Sequence, residues 1–391
     1  MEDKNCKSNE NLTIRSCCCA LESEAARTSA CGSPSPPTEL PQGSNSHWVS
    51  GYLETEVGKV PVVETTLGFK DHLGSLKARL GIGRMCYKVE PGLYATGSPD
   101  SDSPVFVSAN YKMSFDVLRS QIKNLSSWIL VLDTKGINVW CAAGKGTFAT
   151  EEILNRMLKA NLSKTVSHKT LIVPQLGAPG VSAHKVKNCS GYRIVYGPVR
   201  AADIPEFMEN NLQATSEMRR VKFGFCDRVV LTPIEVRMWG WWPLLIIVGL
   251  FFLAGLHKSG FSIVNVWQFG PQSVLMYLAA YFCGAVLTPA LLPWLPGRAF
   301  SLKGAFSGLL LALVVGWCRW DASLTLSVKL NILSWLLITP SVSSFLALNF
   351  TGASTYTSLS GVRKETRLAV PIQTGAVVIG LFLLIAGYLF I

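Results

Sequence analysis

From residue 238 onward the chain carries five apolar stretches, at about 238–256, 273–292, 303–320, 330–350 and 368–391. Each is close to the ~20 residues that a helix needs to cross a bilayer, the third being the shortest. In hydrocarbon such a segment satisfies its backbone polar groups only as a helix or in a closed barrel. Residues 236–391 are therefore expected to form an all-α transmembrane domain of five helices. Trp239, Trp241 and Trp242 stand at the first entry, where interfacial aromatics anchor a span. Arg219, Arg220, Lys222, Arg228 and Arg237 precede the first stretch, Arg298 and Lys303 lie between the second and third, and Arg363, Lys364 and Arg367 between the fourth and fifth. The opposite loops hold only Lys258, Arg319 and Lys329. The positive-inside rule then places the chain in the cell's inner (cytoplasmic) membrane as a multi-pass protein, with the preceding domain in the cytoplasm and the C-terminus outside.

Charge adds little beyond this. The 391 residues carry a formal net charge of +11. From residue 241 onward there are eight Lys/Arg against two Asp/Glu, a net of +6, which leaves +5 for everything before it. No basic stripe with interleaved aromatics appears, so nucleic acid is not an expected partner. The eleven cysteines are odd in number and scattered. No C-x-x-C pair occurs, so no iron–sulfur cluster is expected in this chain. With no secretory apolar segment opening the chain, a reducing cytoplasmic setting suits the soluble part.

Residues 1–48 are rich in Ser, Pro, Glu, Asn and Cys without apolar periodicity, and read as a disordered tail. Cys17, Cys18 and Cys19 suit no standard metal geometry. Residues 49–235 form the globular domain. Strand-like runs are expected at Val60–Thr65, at Gly81–Val89 after a turn, and at Ser103–Ala109, Trp128–Leu132, Leu171–Pro174, Arg193–Tyr196 and Arg228–Leu231. Helices are expected at Ser114–Leu125, Thr150–Leu162, from Val181 to Val186, and at Ala201–Asn210. Thr150 is the expected N-cap of its helix, with Glu151 and Glu152 in the positive first turn. Alternating strands and helices argue for an α/β, Rossmann-like, mostly parallel sheet.

The chemistry concentrates after the Trp128 strand. A turn, Asp133-Thr134-Lys135-Gly136, leads into a short run, Ile137–Trp140, and then to Cys141-Ala142-Ala143-Gly144-Lys145. One cysteine is thus presented where strand hands over to helix, framed by residues small enough for something large and flat to approach. By itself a cysteine in an apolar setting is more often a small core residue. The Gly144-Lys145-Gly146-Thr147 run fails the P-loop spacing at Val139 and Gly146, so nucleotide binding is set aside. In open α/β sheets ligands sit beyond the carboxyl ends of the strands. Three such ends carry small, Gly/Pro-rich loops: Cys141–Gly146, Gln175–Gly180 (Gln175, Leu176, Gly177, Ala178, then Pro-Gly) and, after Tyr196, Gly197-Pro198-Val199. Any one is an ordinary turn; three on one edge suggest a ligand shelf.

The run Asn138-Val139-Trp140-Cys141-Ala142-Ala143-Gly144-Lys145 resembles the signature of the mercury-methylating corrinoid proteins, the membrane-bound members of the microbial mercury methylation pair. The frame Asp133-Thr-x-Gly136 with Ala142-Ala-Gly-Lys145 is similar to the corrinoid domain of the corrinoid iron–sulfur protein large subunit. The resemblance runs over about residues 50–391. It implies a corrinoid (cobalamin-type) cofactor on the three-loop shelf, held by residues 138–145, Gln175–Ala178 and Tyr196–Pro198, with Cys141 as catalytic residue and cobalt ligand. It implies methyl transfer from cobalt to Hg(II), re-methylation by a donor of the methyltetrahydrofolate type, and a ferredoxin-like partner with two [4Fe–4S] clusters. Hg(II) is a soft electrophile, so the methyl group must leave as a carbanion equivalent, and a soft thiolate on the opposite axial position favours that departure. A metal-bound thiol is deprotonated outright, and a helix start favours the anion further.

Two other readings stay open. A corrinoid methyl carrier of the same fold could serve a different acceptor. A membrane transporter with a regulatory soluble domain would fit a faint repeat, in which Leu287-Thr-Pro289 echoes Ile338-Thr-Pro340 and Ser301-Leu-Lys-Gly304 echoes Ser358-Leu-Ser-Gly361. The hydroxyl-rich run Thr351–Gly361 reads as a long cytoplasmic loop.

Overall fold

The computed structural model describes residues 46–319, 325–353 and 359–390. The expected N-terminal tail, apart from its last three residues, lies outside the described residues, as do residues 354–358 of the expected hydroxyl-rich loop and the terminal Ile391. The chain divides into two compact units. Of the described residues, one holds 46–78 together with Ile82–Val221; the other holds Arg79–Gly81 and those from Lys222 onward.

The first unit runs β1 (Val49–Thr55), β2 (Gly58–Val63), α1 (Phe69–Arg79), β3 (Gly92–Thr96), β4 (Val105–Ala109), α2 (Lys112–Gln121), β5 (Ser127–Leu132), α3 (Val139–Lys145), α4 (Thr150–Lys159), α5 (Leu162–Thr165), β6 (Thr170–Val173), α6 (Ala183–Ser190), β7 (Arg193–Tyr196) and α7 (Ile204–Glu209). Its seven strands lie in the order β1-β2-β3-β5-β4-β6-β7. Strands β5, β4, β6 and β7 run parallel to one another, and β2 is parallel to β3. Strand β3 pairs antiparallel with β5, and β1 and β2 form an antiparallel hairpin. Four of the six pairings are parallel, as the alternation suggested, but the sheet is mixed because β3 runs against β5. The cause is the connection after β3. A strand-to-strand link as short as Gly97–Pro104 reverses direction, whereas parallel strands need a crossover of a dozen or more residues. The link steps across the end of the slot that β5 fills, where Trp128 Nε1 donates to the Asp100 carbonyl at 2.8 Å.

Side chains of the central strands alternate between the two faces of the sheet with a period of two, and both faces are buried. Val105, Val107, Trp128, Leu130 and Leu132 face one core with Ile153, Leu154 and Met157 of α4. Phe106, Ile129 and Val131 face the other with Phe115 and Leu118 of α2 and Phe207 of α7. Every residue of β5 is buried, and each of its large apolar side chains contributes about 1.5–3 kcal/mol by leaving water.

Several local expectations are corrected. Gly81–Val89 is no strand; it holds a 3-10 turn at Arg84–Cys86. Ile137–Trp140 is not strand either, because α3 starts at Val139. Thr150 is the first residue of α4 and Ala149 its cap; the Thr150 hydroxyl instead accepts the Ser182 amide at 2.9 Å.

The second unit runs α8 (Phe225–Val229), α9 (Thr232–Met238), α10 (Trp242–Leu253), β8 (Leu256–His257), β9 (Gly260–Phe261), α11 (Ile263–Phe282), α12 (Thr288–Leu291), α13 (Phe300–Cys318), α14 (Leu326–Asn349) and α15 (Leu359–Leu389). The expected strand Arg228–Leu231 is helical. Asp227 accepts the Gly224 amide at 2.9 Å, and Pro233 stands in the first turn of α9; these helix-start signals outweigh the β-propensity of Val229 and Val230. Among the described residues, four helical segments are long and apolar enough to cross a membrane: Ile263–Leu291, Phe300–Cys318, Leu326–Gly352 and Ser360–Leu389. The expected first span is different. Helix α10 has 12 residues, about 18 Å at 1.5 Å per residue, and reaches span length only with Phe225–Met238, from which it is bent by 64°.

Residues Cys283–Leu287 form a π-helical turn between α11 and α12. Thr288-Pro289 follows that turn, whereas Thr339-Pro340 lies inside the unbroken α14. Ser301–Gly304 and Leu359–Gly361, expected in loops, open α13 and α15. Small residues let α13 and α14 approach closely: a Cβ at Gly308 would stand 2.8 Å from Pro340 Cα. Hydroxyls join neighbouring helices, with Ser343 donating to the Ala280 carbonyl and Ser344 to the Ser301 carbonyl, both at 2.8 Å.

A buried ionic cluster ties α1 to α2 in the first unit. Lys112 Nζ donates to Asp71 at 2.9 Å and Asp116 at 2.5 Å. Arg119 reaches Asp116 at 2.7 Å and Asp71 at 2.9 Å, and donates to the Glu64 carbonyl. These side chains are 0–6% exposed, and His47 lies 3.0 Å from Asp71. Burial works to raise the Asp71 pKa, but the Lys112 hydrogen bond, the Gly68 amide and the charges of Lys112 and Arg119 prevail and hold it far below the ordinary range. A carboxylate depressed in the fold stabilises fully above its unfolded pKa of about 3.9, and that contribution drains away as pH falls below it. Melting of the full chain in detergent between pH 7 and pH 2 is expected to show a steep acid loss. In Asp71→Asn the loss should be shallower and stability at pH 7 lower; an unchanged acid limb would count against this assignment.

Candidate functional site

The outer face of α3 is positioned from the end of β4. Asn110, the residue after that strand, is 2% exposed. Its Oδ1 accepts the amides of Thr134 at 3.1 Å and Gly136 at 2.9 Å, and its Nδ2 donates to Asp133 at 3.2 Å. The Thr134 hydroxyl lies 2.8 Å from the same Oδ1 and 2.7 Å from the Ile137 carbonyl. The Asp133 amide donates to Glu152 of α4 at 2.9 Å, and Arg156 holds that carboxylate through Nε and Nη2 at 3.0 and 2.7 Å. Burial pushes the Asp133 carboxyl up, but Lys135 and its amide bring it below the ordinary value. Gly136 has φ +74°, and a Cβ there would stand 3.0 Å from the Met85 carbonyl oxygen. The turn Asp133–Gly136 is thus fixed at both ends before the chain enters α3.

Asn138 starts the helix. It has extended backbone and its Oδ1 accepts the Cys141 amide at 2.9 Å, an N-cap bond to the third helical residue. Gly146, at φ +76°, ends it, in the left-handed conformation common after a helix. Val139, Ala142 and Ala143 turn inward, while Trp140, Cys141, Gly144 and Lys145 are exposed. Cys141 is a free, exposed thiol. Gly144 lies one turn on, and a Cβ built there meets nothing within 4 Å. A thiol therefore stands next to open space on a helix face without a bulky neighbour at 144.

The turn Gln175–Gly180 is brought against α3. It forms a 3-10 segment, and a Cβ at Gly180 would overlap the Phe148 carbonyl oxygen and stand 3.2 Å from Ala143 Cα. Of the expected contact residues in this turn, Gly177 is buried, whereas Gln175, Leu176 and Ala178 are partly exposed. Tyr196 donates through its hydroxyl to the Val181 carbonyl at 2.7 Å, bracing the far end of the turn, and burial raises its pKa. Gly197 and Pro198 are buried. Gly197 donates to the Val173 carbonyl at 2.9 Å and packs near Ile172 and Phe207. These two buttress the end of β6 and offer little exposed surface of their own. Sequence reasoning missed Asn110, Glu152, Arg156 and Phe148. An Asn directly following a buried five-residue strand was the available signal for the first.

Residues 80–208 match the family described as the CO dehydrogenase/acetyl-CoA synthase delta subunit. The chain is similar to the acetyl-CoA decarbonylase/synthase complex subunit gamma of Methanopyrus kandleri, 29% identical over 124 residues, which are 31% of this chain and 26% of that protein. Subunit gamma 1 of the same complex from Methanosarcina thermophila is 32% identical over 127 residues, 32% of this chain and 27% of the relative. The corrinoid/iron-sulfur protein large subunit of Moorella thermoacetica is 31% identical over 127 residues, 32% and 28% of the two chains. The chain spans about a quarter of the length of these curated relatives. The family match contains β3 to α7 with α3 and both flanking turns, and the four long apolar helical segments fall beyond it.

Asn138→Ala removes one N-cap bond and is expected to cost about 1 kcal/mol. Asn110→Ala takes the acceptor from the Gly136 amide, at roughly 1–3 kcal/mol for a buried group left unpaired, and removes one of two acceptors from Thr134, so it should cost about twice as much. Urea titration of the full chain measures both; equal losses would mean that the Asp133–Gly136 turn is held by something other than Asn110.

Proposed function

We propose that the first unit binds a corrinoid and that the chain is a corrinoid-dependent methyltransferase passing a methyl group to Hg(II), with Cys141 as the residue that would ligate cobalt. The observation that carries this reading is the exposed Cys141 thiol beside the open space at Gly144, within a segment similar to a relative named corrinoid/iron-sulfur protein large subunit. A corrinoid bound there supplies a cobalt that takes up a methyl group and gives it to a soft electrophile. The chain's own part is to hold that group. The Cys141 thiolate is a soft donor. Asn138 fixes its backbone, Ala142 and Ala143 anchor the helix in the core, and Gly144 leaves room beside the sulfur. Asn138, Trp140, Cys141, Gly144, Lys145, Gln175, Leu176, Ala178 and Tyr196 form the proposed contact surface, with the buried Val139, Ala142, Ala143, Gly177, Gly197 and Pro198 supporting it. Reducing equivalents would come from a ferredoxin-like partner with two [4Fe–4S] clusters, and the methyl group from a methyltetrahydrofolate-type donor.

The relatives' names favour a second reading, a corrinoid methyl carrier with another acceptor, since they name acetyl-CoA decarbonylase/synthase complexes and none names mercury. Variants at Cys141 test the first reading. Cys141→Ala should abolish methylmercury formation with the fold retained. Cys141→His can still ligate cobalt as a neutral donor, so cofactor should stay bound with activity well below wild type. Cys141→Ser and Cys141→Thr should behave as Ala, because a hydroxyl is a hard ligand. The visible spectrum of the reconstituted protein is read beside methylmercury yield under anaerobic conditions. Wild-type rates in Cys141→Ala refute the thiolate-ligand mechanism. Reconstituted wild type that methylates another acceptor but leaves Hg(II) untouched selects the carrier.

We further propose that the four long apolar helical segments span the inner membrane. Arg298, Arg363, Lys364 and Arg367 then lie on the cytoplasmic side and the C-terminus on the other. The bent pair Phe225–Met238 and Trp242–Leu253 decides the side of the first unit. If the pair crosses, that unit is cytoplasmic; if it does not, the unit shares the side of the C-terminus. Reporter fusions after residues 221, 298 and 363 and at the C-terminus are expected to report inside, inside, inside and outside. A reporter after residue 221 that reads outside would exclude the five-span arrangement.

A further inference from the structure

In the second unit a cleft of about 630 Å³ opens between the starts of α13 and α15. The two helices begin at the same end, because Glu365 of α15 accepts the Ser301 amide of α13 at 2.6 Å. Helix α15 has 31 residues, about 47 Å at 1.5 Å per residue, against a hydrocarbon core of about 30 Å. Its charged first turns, with Arg363, Lys364 and Arg367, therefore belong among headgroups. Arg298 and Lys364 line the mouth of the cleft, and both are exposed. The carboxylate of the cleft, Glu365, is already turned to the Ser301 amide, so the mouth is cationic. Below it the wall is apolar and open, with Leu302 55%, Leu368 60% and Ile372 72% exposed.

We propose that this cleft binds one anionic phospholipid, its phosphate between Arg298 and Lys364 and its acyl chains along Leu302, Leu368 and Ile372. Cationic residues between membrane helices recognise acidic headgroups in this way. A free phosphate ion would satisfy the two cations and leave the apolar wall bare, which is why a lipid is the occupant. The proposal rests on the helices spanning a bilayer and is independent of any chemistry at Cys141.

The test uses the full chain in nanodiscs containing equal phosphatidylglycerol and phosphatidylcholine, with co-purified lipid counted by native mass spectrometry. Wild type is expected to retain phosphatidylglycerol roughly tenfold over phosphatidylcholine, as two cations near a bilayer surface, offset in part by one carboxylate, would give. Arg298→Ala/Lys364→Ala should lose that preference, and the charge-conserving Arg298→Lys/Lys364→Arg should keep most of it. Protein that stays in the nanodisc with no headgroup preference, or a double alanine variant that keeps it, overturns the lipid site. So does displacement of the lipid by glycerol phosphate or inorganic phosphate at equal concentration, which would make the cleft a plain anion site. Release of wild type from membranes by alkaline carbonate would refute the spanning helices themselves.

Discussion

One buried carboxamide sets the geometry of the candidate site. Asn110 stands at the end of β4 and holds the turn that follows β5, its neighbour in the sheet. A backbone amide buried without a partner is costly, so the Gly136 amide depends on the Asn110 oxygen, which the Thr134 amide shares with the Leu132 carbonyl. Everything after the turn inherits that placement: the entry angle of α3, the cap on Cys141, and the inward set of Val139, Ala142 and Ala143. Glu152 and Arg156 repeat the device from the side of α4. The Asp-Thr-x-Gly run thus acts as a hinge pin for the helix that carries the cysteine.

The parts of the fold that sequence revealed are those whose signal is local. The buried strand at Trp128–Leu132 and the amphipathic face of Ile153, Leu154 and Met157 write their periodicity into consecutive residues. The direction of β3 follows from the short Gly97–Pro104 link, but its partner β5 arrives only some thirty residues later, and no periodicity encodes that pairing. The ionic cluster drew no notice because Lys112, Asp116 and Arg119, read alone, look like the solvated side of a helix; only Asp71, 41 residues away from Lys112, makes them interior. Cys141 stands out in the sequence through its small neighbours, yet its helical setting does not, since Ile137–Trp140 has the composition of a strand and Asn138 overrules it with a single cap.

The two units are built by different rules. In the first, apolar side chains fill both faces of a sheet and the ionic cluster is buried with its charges matched. In the second, apolar residues line the outside while serines and glycines meet between helices, as at Ser343, Ser344 and Gly308. That inversion suits a solvent that rewards no burial of hydrocarbon, where close backbone approach and hydroxyl hydrogen bonds do the joining.

The glycines at 144 and 180 illustrate how folding and chemistry can be separated within a few ångströms of one helix. At 180 there is no volume for a methyl group, so the residue answers to stability alone. At 144 there is volume and nothing fills it, so an alanine or serine there would leave the fold intact while narrowing the space beside the sulfur. Position 144 is in that sense a free dial on the site: it can alter which molecules reach Cys141, and how closely, without the structure registering the change.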